Sequence, residues 1–256
     1  MKGAWLPALV KRCLEGFISW PDGIRFARWR LHPTETIRLC GLIFSNADHT
    51  TWSLIAETFL LQEYTPKGFS FPRASMTIDI GAHRGIFTGF TSLKSSGPIF
   101  ALEPDPENFH ALEVFIATNG IKITTPMNCA LASRDGTTKL YHSLNSRHSI
   151  TGIDQATGER LSTYRTLPCI SLNTLLEPFT TIVVLKLDCE GAEYEILDAT
   201  DISHLQKTRF LTMEVHDLIN KKNSYEALVT KLKASFEVVQ FRRKTAALVL
   251  LTAENY

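Results

Sequence analysis

The sequence predicts an α/β protein: a mostly parallel, seven-stranded sheet closed by a C-terminal antiparallel hairpin and preceded by a helical N-terminal extension. Two observations lead there. From Met76 onward, short apolar runs alternate with stretches of helical periodicity, which is the signature of strands joined by crossover helices. The last two apolar runs are separated only by Arg242–Thr245, too few residues for a crossover, so that pair must be antiparallel.

Residues 1–36 are rich in Trp and Arg, are broken by Pro7, Pro21 and Pro33, and read as an appendage. Met1, Lys2 and the run Ala4–Val10 faintly resemble a signal peptide, but Pro7 interrupts the run, Lys11-Arg12 ends it, and no small-residue cleavage site follows. Trp5, Leu9, Leu14, Phe17 and Ile18 form an apolar helix face opposite Lys11 and Arg12. Such a face suits packing on the chain's own domain or a partner subunit; the alternative is peripheral contact of residues 1–20 with a membrane surface. A helix is expected from Asp48, its N-cap, to Tyr64, with Trp52, Ile55, Phe59 and Leu60 at helical spacing and Pro66 and Gly68 ending it. The extension thus spans residues 1–74, and the main domain 75–256.

The expected strands are Met76–Ile80, Ile99–Leu102, Ile121–Met127, Ile182–Leu187, Phe210–Val215, Phe236–Phe241 and Ala246–Leu251. Helices are expected over Ile86–Ser92, Pro106–Thr118, Ala192–Leu197 and Tyr225–Lys233. The stretch Tyr141–Pro168 lacks hydrophobic periodicity and carries His142, Asn145, Arg147, His148, Tyr164 and Arg165. It reads as a lid or mobile loop that shapes an acceptor pocket.

Composition narrows the function. Lys+Arg of 27 against Asp+Glu of 26 gives a formal charge of +1, so no nucleic-acid partner is expected. The local clusters Arg25, Arg28, Arg30, Arg38 and Arg242, Arg243, Lys244 read as solvated surface or turn. Five scattered cysteines show neither a disulfide framework nor a zinc spacing, which suits a cytoplasmic protein. No apolar run approaches the ~20 residues of a membrane span.

Three motifs fall at the carboxyl ends of predicted strands, where open α/β sheets bind ligands. The first is TIDIGAHRG (77–85), in which Gly81 and Gly85 permit positive φ and close approach of a ligand to the backbone. Asp79, Gly81, His83 and Gly85 are its candidate cofactor-binding residues. The second, Glu103-Pro104-Asp105-Pro106, places Glu103 24 residues after Asp79, where an acid accepts hydrogen bonds from ribose hydroxyls. Asp105 doubles as a helix N-cap and Pro106 suits the first turn. Asn128, just past the third strand, lies near where an adenine would sit. The third motif, Lys186-Leu-Asp188-Cys-Glu190-Gly-Ala-Glu193, gathers three carboxylates and an amine, costly to bury without purpose. A structural ion pair is the plainer alternative for Lys186.

The runs TIDIGAHRG, ALEPDPENF (101–109), LKLDCEGAEYEIL (185–197) and MEVH (213–216), with IRL (37–39) and ADHTTWSLIAETFLLQEY (47–64) before them, resemble the FkbM-type methyltransferase family over residues 37–256. The resemblance implies a Rossmann-like methyltransferase fold, S-adenosyl-L-methionine (SAM) as cofactor, and O-methylation of a hydroxyl on a sugar, glycan, polyketide or similar small molecule. One position departs: the family usually has asparagine where this chain has His83.

Transfer of a methyl group to oxygen needs alignment of the hydroxyl with the methyl and removal of its proton. Asp188, which could instead orient the cofactor, and His216, with Glu214 holding its tautomer, are the candidate bases, with Lys186 as a further catalytic candidate. A divalent metal on Asp188, Glu214 and His216 is conceivable, but the spacing does not demand one, and none is expected. Two other readings remain: a nicotinamide oxidoreductase, which would expect GxGxxG, and a SAM-binding subunit without catalysis, which would not need Asp188 and His216.

Overall fold

The computed structural model describes residues 4–45, 47–65, 69–142, 150–152, 160–216, 222–245 and 248–255. The chain opens with helices α1 (Trp5–Leu14) and α2 (Trp20–Leu31), then a hairpin of β1 (Thr36–Leu39) and β2 (Leu42–Ser45). Helix α3 (His49–Ile55) runs into a π-helical turn, Ala56–Leu61. Asp48 caps α3 by accepting the Thr51 N–H at 2.7 Å, and Trp52, Ile55, Phe59 and Leu60 are all buried, as their spacing predicts. Pro66, Gly68, Met1 and Lys2 lie outside the described residues.

Then follow β3 (Thr77–Ile80), α4 (Ile86–Ser92), β4 (Ile99–Leu102), α5 (Pro106–Asn119) and β5 (Thr124–Met127). A side unit comprises β6 (Ala130–Ala132), β7 (Gly136–Tyr141), β8 (Tyr164–Ser171) and α6 (Leu172–Leu176). The chain closes with β9 (Ile182–Leu187), α7 (Glu193–Ala199), α8 (Ile202–Leu205), β10 (Thr208–Val215), α9 (Lys222–Ser235), β11 (Val238–Arg243) and β12 (Val249–Glu254).

The main sheet has seven strands in the order β11-β12-β10-β9-β3-β4-β5. β5, β4, β3, β9 and β10 are mutually parallel, whereas β12 runs antiparallel to both β10 and β11. The strand order changes direction between β3 and β9, the switch point at which ligands enter such sheets. Register aligns the strand ends there: Ile80 is paired with Leu187, and Leu187 with Met213. Gly81, Asp188 and His216 therefore emerge along one rim.

Period-2 alternation sorts the core onto two faces. Val184, Phe210 and Leu250 look toward one cluster, and Leu185, Leu211 and Leu251 toward the other. The second cluster is covered by α6, α7, α8 and α9. The first is covered by the N-terminal elements: Leu9, Ile18, Phe26, Phe44 and Phe59 join Phe90 and Phe115 in one aromatic-rich layer. Of the predicted apolar face of α1, Leu9 and Ile18 are buried and Trp5 and Phe17 pack against them, while Leu14 stays exposed. No helix among the described residues is long and apolar enough to cross a membrane.

Three local expectations need correction. Residues 136–141 and 164–171 are paired antiparallel, so the ends of the stretch expected to be a lid are strands; Asn145, Arg147 and His148 lie outside the described residues. The closing hairpin is shifted by two to three residues, with Val238 paired to Glu254 and Arg243 to Val249, so its turn follows Arg243. The β1–β2 hairpin was not expected from the sequence at all.

Candidate active site

The first motif folds into a tight turn after β3. Gly81 (φ 73), His83 (φ 51) and Gly85 (φ 85) all adopt the left-handed region. The missing Cβ of Gly81 makes room for protein rather than ligand: a Cβ there would lie 2.1 Å from the Asp188 carbonyl oxygen. At Gly85 it would lie 2.8 Å from Leu112 and Phe115 of α5. Both glycines thus fix how the turn packs on its neighbours. Asparagine tolerates positive φ best among residues with side chains, and histidine also does so more often than most, so His83 fits the position. Its imidazole is mostly buried, and burial with the nearby Arg84 and Lys186 charges pushes its pKa down to about 4.

Two motif residues brace this turn from below. Asp79 is wholly buried, accepts the Thr88 hydroxyl at 2.7 Å and lies 3.2 Å from the Lys186 ammonium. Lys186 also donates to the carbonyls of Ile80 (3.3 Å) and Gly81 (3.0 Å). The ammonium therefore spans β9 and the glycine turn. This is the ion-pair reading of Lys186: Asp79 lies beneath the rim, and the ammonium borders the cavity above it.

Glu103 directly follows β4 and stands across from the turn. Its carboxylate accepts the His83 N–H at 2.7 Å and the Asp105 N–H at 3.0 Å. Burial pushes its pKa up to about 7 against the pull of those two amides. Asp105 caps α5 through the amides of Glu107 and Asn108, as its position before Pro106 predicts. Asn128 donates to the carbonyls of Glu103 (2.9 Å) and Pro104 (3.2 Å) and so fixes the backbone that carries Glu103.

At the ends of β9 and β10 the acids converge. His216 Nδ1 lies 3.0 Å from Glu193, and its Nε2 lies 3.5 Å from Glu190 and 3.7 Å from Glu214. Burial alone would lower the pKa of this imidazole, but the charges of Glu193, Glu190 and Asp188 raise it to about 10. With both ring nitrogens facing carboxylates, His216 is a cation at neutral pH, not the near-neutral base its residue type suggests. Glu214 does not hold the ring's Nδ1, as expected from the sequence; Glu193 does, reaching over from α7. Glu214 instead accepts from Tyr64 Oη (2.9 Å) and Lys244 Nζ (2.7 Å). Asp188 has a buried Oδ1 with no hydrogen-bond partner among the described residues, and burial and the Glu214 charge push its pKa up to about 6.

Sequence reasoning missed Tyr64, Glu57, Glu63 and Lys244. Lys244, read as a solvated turn residue, is held at 2.7 Å from Glu214, 3.0 Å from Glu63 and 3.6 Å from Glu57. Arg242 pairs with Glu63 at 3.2 Å. The closing hairpin is thereby tied to the extension across the mouth of the site.

Many of these groups border one cavity of 1330 Å³, whereas Asp79, Gly85, Asp105, Asn128 and Glu193 do not line it. Gly81, His83, Glu103 and Pro104 line it on the β3–β4 side, and Asp188 and His216 line it on the β9–β10 side.

A parallel sheet with its switch point at a glycine turn, an acid at the end of the next strand and an antiparallel closing hairpin together define a class, the Rossmann-like α/β fold of methyltransferases. Residues 79–242 match the FkbM methyltransferase domain, and the chain belongs to that family. No curated protein matches the chain. Among solved structures it is similar to a precorrin-6y C5,15-methyltransferase from Geobacter metallireducens, at 13% identity over 83% of this chain and 95% of that one, with a TM-score of 0.46. It is also similar to the fibrillarin pre-rRNA processing protein of Methanococcus jannaschii, at 11% identity over 83% and 76% of the two chains, with a TM-score of 0.44. At such identities and scores neither likeness bears on what this chain acts on.

Proposed function

We propose that this methyltransferase uses SAM to methylate a hydroxyl of a sugar, glycan or secondary metabolite. The observation that carries the reading is the division of one cleft between two kinds of group. Glu103 and the glycine turn stand on one side, and Asp188, with a carboxylate oxygen lacking a hydrogen-bond partner among the described residues, stands on the other.

The residues present fit the cofactor. Each Glu103 oxygen accepts one backbone N–H and retains lone pairs that ribose hydroxyls would engage. Asp188, Glu190 and Glu214 give the far wall an acidic character suited to a sulfonium and an ammonium group. Bound there, SAM supplies an electrophilic methyl group. Asp188 Oδ1 would accept a hydrogen bond from the acceptor's hydroxyl and take up its proton as the new bond to oxygen forms and the methyl–sulfur bond breaks. Alignment of this kind lowers the barrier by several kcal/mol, up to ~7–11 in well-oriented cases. His216, Glu193 and Lys244 hold the acidic wall in shape. Lys186 and Asp79 act as positioning residues: Asp79 does not line the cleft, and the Lys186 ammonium that borders it is held by Asp79 and by two carbonyls of the turn. All five cysteines are free thiols, which suits a reducing compartment such as the cytoplasm.

The test is transfer of labelled methyl from SAM to pools of glycans, sugars and small-molecule extracts, followed by mapping of the labelled atom. An O-linked methyl is expected, and Asp188→Asn should abolish it. A label found only on nitrogen or carbon would rule out the O-methylation reading.

A further inference from the structure

We infer that the rim also holds a divalent metal ion, bound by Asp188, Glu193 and His216. The three come from different elements: the end of β9, the first residue of α7 and the residue after β10. One ligand atom from each lies within 4.8 Å of those of the other two. A Mn²⁺- or Mg²⁺-sized ion with bonds of about 2.1 Å spaces adjacent ligands at roughly 3.0 Å and opposite ones at roughly 4.2 Å. Small side-chain movements therefore close the trio onto an ion.

A second observation points to a ligand. Glu193 is wholly buried, and its Oε2 has no hydrogen-bond partner among the described residues; Asp188 is half-buried, and its shielded Oδ1 likewise has none among them. Carboxylate oxygens shielded from solvent and left without a hydrogen-bond partner are unfavourable unless a cation meets them. The cationic His216 meets Glu193 through Oε1 and not through Oε2, and an ion that takes this imidazole as a ligand displaces its proton. Glu193 Oε1 is already occupied by the amides of Cys189 (3.0 Å) and Gly191 (3.2 Å), which pins its carboxylate so that Oε2 has a fixed direction.

The donor set also selects the ion. Two carboxylates and one imidazole combine hard oxygen with a borderline nitrogen, which favours Mn²⁺ over Ca²⁺. Glu214, the acid that the sequence alone suggested for such a site, is instead committed to Tyr64 and Lys244. Asp188 and His216 line the cavity, whereas Glu193 lies behind them, so the remaining coordination positions open toward the cleft. An acceptor with two adjacent oxygens, such as a vicinal diol, would complete the shell. This last step rests on the proposed function; the ion site itself does not. With the ion in place, the acceptor's oxygen meets the metal that Asp188 carries rather than Asp188 itself.

The experiment titrates the full chain, first treated with EDTA, with Mn²⁺ alone, followed by loss of the free-ion EPR signal and by calorimetry. One ion per chain is expected. Removing even an outer hydrogen-bond partner of a metal ligand costs about 10–100-fold in affinity, so Asp188→Asn and His216→Asn should each weaken binding by at least about tenfold. Glu214→Gln, which removes a carboxylate 3.7 Å from His216 but supplies no ligand, should weaken binding less than either. Asp188→Asn keeps its shape and removes no hydrogen bond of Oδ1, so it is expected to fold; circular dichroism checks each variant. Mn²⁺ should raise the wild-type Tm and leave that of Asp188→Asn unchanged. Absence of saturable binding, wild-type affinity in Asp188→Asn, or an equal loss in Glu214→Gln would each overturn the site. Methyl transfer separates the two readings. Mn²⁺ bound in a protein that transfers no methyl from SAM would remove the proposed function and leave the ion. Methyl transfer undiminished by EDTA, with no Mn²⁺ bound, would do the reverse.

Discussion

Replacing Glu103 with glutamine probes the proposed cofactor seat without changing its shape. In the wild type both carboxylate oxygens are anchored by backbone amides, His83 N–H at 2.7 Å and Asp105 N–H at 3.0 Å. The substituted side chain keeps one acceptor oxygen and turns an NH₂ toward the other N–H. A hydrogen bond to a charged group contributes about 1.5–3 kcal/mol, so losing one such bond to the ribose should weaken SAM binding roughly 10–100-fold. Glu103→Ala removes both and should lower affinity by about 10²–10⁴-fold.

The pH dependence follows from the same residue. Only the ionised carboxylate accepts both ribose hydroxyls fully, and its pKa stands at about 7 through burial. SAM affinity should therefore rise between pH 6 and pH 8 and level off above, with about a tenfold loss per pH unit at most on the acid side. The sign for stability is opposite. A carboxyl whose folded pKa is raised from 4.5 to about 7 holds its proton longer in the native state. The stability it contributes is complete below pH 4.5 and is lost as pH rises to about 7, on the order of 3 kcal/mol in total. The stability of Glu103→Gln relative to wild type should accordingly improve over that window. Calorimetric titration with SAM, and urea unfolding across pH 5–8, read both effects. Unchanged affinity in Glu103→Gln, or a flat wild-type affinity between pH 6 and pH 8, would refute the reasoning.

Lys186→Met should destabilise the protein by about 3–5 kcal/mol, because it leaves the wholly buried Asp79 without its cation. Adding Asp79→Asn should recover part of that loss in denaturant unfolding. Gly81→Ala should cost about 3 kcal/mol or more, since it combines positive φ with a Cβ placed 2.1 Å from the Asp188 carbonyl. A wild-type Tm in this variant would show that the turn can move. Asp48→Ala should cost only about 1 kcal/mol, the loss of one N-cap, measured by thermal unfolding.

The main sheet was legible because its signals are local. Parallel strands buried on both faces read as continuous apolar runs, and the caps Asp48 and Asp105 sit directly before their helices. The β1–β2 hairpin was not read, although Ile37, Leu39, Leu42 and Phe44 are its buried residues, because four-residue strands leave too little periodicity to register. The side sheet escaped for another reason. Residues 164–168 alternate weakly, with only Leu167 buried, and their partner β7 lies more than twenty residues upstream. In the site, spacing located Asp188, His216 and Glu103 but not their relationships. Period-2 reasoning pairs His216 with Glu214 on its own strand, whereas the nearer oxygen, from Glu193, arrives from a helix above. Lys244 lay in a run of basic residues that reads as solvent-facing, and nothing local reveals that Glu57, Glu63 and Glu214 surround it. That Lys186 serves as a brace is likewise a tertiary fact, because Asp79 is more than one hundred residues away.

The central claim is that one rim cleft seats the nucleoside against Glu103 and turns its sulfur toward Asp188. A crystal structure of the protein with S-adenosylhomocysteine tests it most directly. The account predicts ribose hydroxyls within hydrogen-bond distance of Glu103 and the sulfur on the Asp188 side of the cavity. A nucleoside seated elsewhere, such as the smaller pocket bordered by Phe44, Arg84 and His110, would contradict it.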